Sequence, residues 1–87
     1  MEVILYTKDT CKACYDSRKA FNRLKLEYPQ IKFYKVNIKD SMAKDFISFL
    51  SGYPTFVIKK DNQIREKSVG GGSAVYSTYK ILIEKYL

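Results

Sequence analysis

Eighty-seven residues suffice for one small domain, and a chain of that size buries only roughly 60% of the surface its unfolded form exposes. A hydrophobic fraction of 46% and a charged fraction of 29% are ordinary for a soluble globular protein. No apolar run approaches the ~18 residues of a membrane span. The apolar stretch at residues 2–6 is too short for a secretory signal and has no basic lead. There is no histidine, which excludes imidazole catalysis and histidine metal ligands, and the only cysteines are Cys11 and Cys14.

In chain order, residues 2–6 (Glu2, Val3, Ile4, Leu5, Tyr6) read as a short strand buried on both faces. Residues 11–27 read as a helix. Ala13, Ser17, Ala20, Phe21, Leu24 and Tyr28 share one face, Thr10 is placed as N-cap, and Pro29 stops the helix. Residues 31–38, rich in aromatic and β-branched types, read as a second buried strand. Residues 41–50 repeat a helical pattern at Met42, Phe46, Phe49 and Leu50, with Ser41 as its cap. Residues 55–60 and 63–69 flank the turn pair Asp61–Asn62 and read as a β-hairpin, the second strand polar enough for a sheet edge. After Gly70–Gly71–Gly72, residues 73–87 read as a closing helix whose buried face is Val75, Tyr79, Leu82, Ile83 and Tyr86. Tyr34, Phe46, Phe49 and Phe56 are expected in the core.

This order, β-α-β-α-β-β-α, predicts a single α/β domain over residues 1–87. Its first two strands should be parallel through a right-handed crossover. The hairpin adds antiparallel strands, giving a four-stranded mixed sheet flanked by three helices.

The net charge is +7, from 16 Lys and Arg against 9 Asp and Glu. The cations are scattered among acids and apolar residues, with no zinc-finger, RNP1 or GXXG signature, so the pattern speaks against nucleic acid. It favours encounter with acidic partners.

The chemistry concentrates in Cys11-Lys12-Ala13-Cys14, between the first strand and the first helix. A disulfide here closes too small a ring to act as a structural staple. Residues three apart in a first helical turn are close enough for their sulfurs to bond. The helix N-terminus supplies unsatisfied N–H groups and a partial positive charge, which favour a thiolate at Cys11. Lys12 and Lys8 add positive charge, and Cys14 should be less exposed. Cys11 then attacks a substrate disulfide and Cys14 resolves the mixed disulfide. A mononuclear zinc site lacks its third and fourth ligands among Cys and His, so no metal is expected. Two inert thiols, or zinc or an iron–sulfur cluster shared across a dimer, remain as other readings of a bare CxxC.

Tyr6-Thr7-Lys8 followed by Cys11-x-x-Cys14 resembles the opening of a glutaredoxin. Gly52-Tyr53-Pro54-Thr55 ahead of an apolar strand resembles the cis-proline segment shared by thioredoxins and glutaredoxins. The Gly-Gly within Gly70–Gly72 resembles the glutaredoxin turn before the last helix. The resemblance covers essentially the whole chain and implies a thioredoxin-like fold. It implies a cis Pro54 packed against the cysteine pair, and Tyr53 with its backbone paired to the substrate. It implies Lys8 near the glycine carboxylate of glutathione, and backbone N–H groups of Gly71, Gly72 and Ser73 at the γ-glutamyl carboxylate.

The chain departs from the family in several places. Lys12-Ala13 replaces the usual Pro-Tyr between the cysteines, Thr10 stands where thioredoxins have Trp, and Leu5 replaces their buried acid. Ser73-Ala74 follows the glycines in place of acidic residues. The expectation is a small glutaredoxin-like thioredoxin: a cytoplasmic, monomeric thiol–disulfide oxidoreductase without metal or organic cofactor. It would be recharged by glutathione or a flavoprotein reductase and would act on protein disulfides, such as that of ribonucleotide reductase, or on glutathione mixed disulfides. The alternative is a redox-independent binding module that holds an acidic protein through its basic surface and Tyr53.

Overall fold

The computed structural model describes residues 1–9, 11–37 and 52–87. Its elements are β1 (Glu2–Thr7), α1 (Lys12–Glu27), β2 (Lys32–Asn37), β3 (Thr55–Lys60), β4 (Gln63–Val69) and α2 (Val75–Lys85). They form a four-stranded sheet in the order β2-β1-β3-β4. β1 is parallel to β2 and antiparallel to β3, and β3 and β4 form an antiparallel hairpin. The mixed sheet matches expectation. Two of the three expected helices are seen among the described residues. The helix expected over residues 41–50, with Ser41, Phe46 and Phe49, lies outside them.

β1 sits in the middle of the sheet, and Val3 through Thr7 are all buried. Its alternate residues supply two clusters. Val3 and Leu5 join Phe33, Phe56 and Ile58 with the helix residues Phe21, Leu24, Tyr79 and Ile83. Ile4 and Tyr6 join Val36 and Val57 on the other face. Full burial of each large apolar side chain contributes about 1.5–3 kcal/mol. Phe21 meets Phe33 edge-on at 5.2 Å, and Phe56 stacks on Tyr79 with ring centroids 4.0 Å apart.

Three local expectations are corrected. β2 is an edge strand and not doubly buried: Lys32, Tyr34 and Lys35 are exposed, so Tyr34 is outside the core. An apolar-rich run does not reveal which strand the sheet order leaves at its margin. On α1, Cys14 takes the buried place given to Ala13, because 14, 17, 21, 24 and 28 follow the helical stripe and 13 lies outside it. The α1 N-cap is Cys11 and not Thr10, which lies outside the described residues.

Asp61 and Asn62 both adopt positive φ, 56° and 64°, as the tight hairpin requires. The register shifts at Ile58/Lys59. The polar β4 is the other edge of the sheet, as expected. α1 ends at Tyr28, whose N–H donates to the Leu24 carbonyl. The Tyr28 hydroxyl donates to Glu84 on α2 at 2.8 Å, and that bond pushes its pKa up to about 12. The Tyr76 hydroxyl on α2 likewise donates to Glu27 on α1. Inside this pair of helices the Tyr79 hydroxyl donates to Ser17 Oγ at 3.0 Å, with both residues wholly buried. No helix among the described residues is long and apolar enough to cross a membrane.

Candidate redox site

β1 ends at Thr7 and α1 begins at Lys12. Cys11 therefore stands at the mouth of the helix with extended backbone (φ −115°, ψ 102°). Its sulfur does what a serine or aspartate oxygen does at other helix starts. Sγ accepts the Cys14 backbone N–H at 3.1 Å, satisfying one of the orphan donors of the first turn. The sequence signal for this cap was Cys11 itself, whose sulfur stands one place before the first helical residue.

Cys11 and Cys14 are joined as a disulfide with their Cα atoms 5.2 Å apart. Cys11 is half-buried and Cys14 has no exposed surface. Only the first of the two is open to an incoming substrate. The first turn of α1 carries no acid, and Lys12 is exposed within it. Both the helix N-terminus and Lys12 favour negative charge at Cys11. No cluster of three or more His, Cys, Asp or Glu side chains suited to a metal occurs among the described residues.

Several of the other expected residues are brought together with one another. The Tyr53–Pro54 peptide is cis, and Pro54 is wholly buried. Lys8 Nζ lies 5.5 Å over the Tyr53 ring, so the β1–α1 loop and the proline segment meet. Thr55 Oγ1 donates to the Gly52 carbonyl at 2.6 Å and closes that segment on itself. The Gly70 N–H donates to the Pro54 carbonyl at 2.9 Å, carrying the β3–β4 ladder up to the glycine turn. Gly71 then lies directly on Ala13 of the cysteine motif.

Gly72 and Ser73 are placed differently from the cysteines. They line a groove of about 380 Å³ between α1 and α2, with Lys19, Arg23 and Tyr76 on its walls. α2 begins at Val75 with Ala74 as N-cap, so Ser73 precedes the helix and makes no capping bond to it. Leu5, at the position where the resemblance puts a buried acid, is fully buried in the apolar cluster.

Two features escaped sequence reasoning. The contact of Gly71 with Ala13 joins residues far apart in the chain, and the only signal for it was the run of three glycines. The Ser17–Tyr79 bridge was half legible, since Ser17 was placed on the buried face without a partner.

No curated protein matches the chain by sequence. Solved structures match it closely in shape. Thioredoxin from Fasciola hepatica superposes with a TM-score of 0.83 at 22% identity, covering 99% of this chain and 80% of that one. Mitochondrial thioredoxin 3 from Saccharomyces cerevisiae, oxidized, gives 0.81 at 24% identity, covering 97% and 76%. Thioredoxin O1 from Arabidopsis thaliana, also oxidized, gives 0.78 at 26% identity, covering 97% and 75%. The thioredoxin family profile matches residues 1–81, and a chain that carries its CxxC at the start of α1 in this fold belongs to the thioredoxin family.

Proposed function

We propose that this protein is a glutaredoxin-like thiol–disulfide oxidoreductase. One observation carries the reading: Cys11 Sγ sits half-buried on the Cys14 N–H at the mouth of α1, with the buried Cys14 sulfur at bonding distance. In the reduced protein the Cys11 thiolate attacks one sulfur of a substrate disulfide. A bond forms between Cys11 and that sulfur, and the substrate's other sulfur leaves as a thiolate. Cys14 then loses its proton and attacks Cys11 Sγ, which forms the Cys11–Cys14 disulfide and expels the second substrate thiolate. The substrate gains two electrons and the pair loses them. Two glutathione molecules, or the dithiol of a flavoprotein reductase, return them.

Tyr53 and the cis Pro54 would hold the substrate backbone beside Cys11. Lys8 and the turn Gly71–Gly72–Ser73 would hold its carboxylates, in glutathione or in a protein. The meeting of Lys8 with Tyr53 supports grouping those two on one surface, while Gly72 and Ser73 line the groove between α1 and α2. Substrates are then protein disulfides, such as that of ribonucleotide reductase, or glutathione mixed disulfides, met in the cytoplasm by a monomer.

Trapping tests the reading. Cys14→Ser should accumulate a mixed disulfide on Cys11, and Cys11→Ser should accumulate none. Equal trapping by both variants, or by neither, refutes it. The reduction potential then separates the reductants: about −200 to −230 mV points to glutathione and about −270 mV to a reductase.

A further inference from the structure

The glycine turn lies against the back of the redox pair. A Cβ added at Gly71 would stand 2.5 Å from the Ala13 carbonyl oxygen and 3.0 Å from the Ala13 Cβ. The turn and α1 can approach this closely only because position 71 has no side chain. The Ala13 carbonyl belongs to the same planar peptide unit as the Cys14 N–H. That N–H is shared between Cys11 Sγ at 3.1 Å and the Cys11 carbonyl at 3.2 Å. One rigid plane therefore has Gly71 on its oxygen side and the reactive sulfur on its hydrogen side. The turn is held from behind as well, because the Gly70 N–H is bonded to the Pro54 carbonyl.

We propose that Gly71 is a positioning residue for the thiol chemistry: its contact with the Ala13 carbonyl holds the Ala13–Cys14 peptide plane so that the Cys14 N–H aims at Cys11 Sγ. This role rests on Cys11 being the attacking thiol and is exerted before any substrate arrives. A hydrogen bond to a charged acceptor is strong, and it weakens steeply as the donor turns away. A methyl group at position 71 forces the plane to tilt. The Cys11 thiolate then loses its donor, and less of it is present at any pH below the thiol's own range.

The test is the pH profile of iodoacetamide alkylation at Cys11 in the reduced protein, read site by site by mass spectrometry. In Gly71→Ala the midpoint should move upward, and the rate at weakly acid pH should fall about tenfold, the equivalent of one unit in pKa. Gly70→Ala is the control. That glycine has φ +105° and nothing within 4 Å of an added Cβ, so alanine strains the turn without touching α1. It should lower the melting temperature and leave the midpoint in place. Ala13→Gly combined with Gly71→Ala removes the Cβ–Cβ part of the clash and should recover part of the lost rate. It is assayed in place of Gly71→Ala if that variant does not fold.

Superimposable profiles for the parent and Gly71→Ala overturn the proposal, as does an equal shift in Gly70→Ala. A parent midpoint no lower than that of an ordinary thiol gives a different result: it removes Cys11 as the activated nucleophile and the proposal with it.

Discussion

The buried hydroxyl pair between the helices offers a direct measure of what holds α1, and with it the cysteine motif, in place. Tyr79→Phe keeps the ring that stacks on Phe56 and deletes only the hydroxyl that donates to Ser17 Oγ at 3.0 Å. Ser17→Ala deletes the acceptor. Each residue is fully buried, so each single change leaves a polar atom without that partner and out of reach of water. The expected cost is roughly 1–3 kcal/mol apiece. The double variant removes both polar atoms together and should lie within about 1 kcal/mol of the parent. The coupling is then at least about 1 kcal/mol. An 87-residue domain has roughly 4–13 kcal/mol in all, so either single change is a sizeable part of the total. With a urea slope of about 1 kcal/mol per M, each single variant lowers the unfolding midpoint by about 1–3 M. The assay is urea unfolding of the oxidised protein followed by far-UV circular dichroism. Single costs that simply add in the double variant, or singles indistinguishable from the parent, would refute the reasoning.

Three further outcomes are expected. Tyr28 holds its proton up to about pH 12 in the fold against 10.0 in the unfolded chain. The stability this bond gives is therefore complete below pH 10 and lost as pH rises toward 12, and Tyr28→Phe should unfold with a shallower alkaline dependence over that range. An equally steep profile in the variant removes the Tyr28–Glu84 bond from the account. Leu5→Asp places the resembled family's acid into a wholly apolar site and should cost about 3–5 kcal/mol at neutral pH. Burial raises that carboxyl's pKa, so the cost shrinks as pH falls from the raised value to the ordinary carboxylate range and is constant below it, and urea midpoints at acid and neutral pH will show whether it does. Lys8→Ala gives up a surface ion pair with the substrate carboxylate of about 0.5–1 kcal/mol and should raise KM for a glutathione mixed disulfide about two- to fivefold with kcat unchanged. A fall in kcat alone would move Lys8 from substrate binding to the chemical step.

Periodicity and punctuation along the chain are enough to set several elements. β1 was legible because the apolar run Val3–Tyr6 after Glu2 suits a short strand buried on both faces. The hairpin was legible because Asp61–Asn62 are residues that tolerate positive φ. The redox pair was legible because two cysteines at helical spacing between a strand and a helix have little other use. These are short-range facts, fixed by local backbone sterics and hydrophobic spacing. The rest came from how the elements pack. Sheet order left β2 at an edge and turned Tyr34 to solvent, which no local pattern records. The rotation of α1 buried Cys14 and left Ala13 outside. Long-range contacts set Gly71 on Ala13, Tyr79 on Ser17 and Lys8 on Tyr53. Each joins residues many positions apart, and their meeting depends on how the helices and the hairpin pack over one sheet. Hydrophobic pattern specifies which face a residue turns inward, while the partner it meets there is fixed only when the elements close on one another.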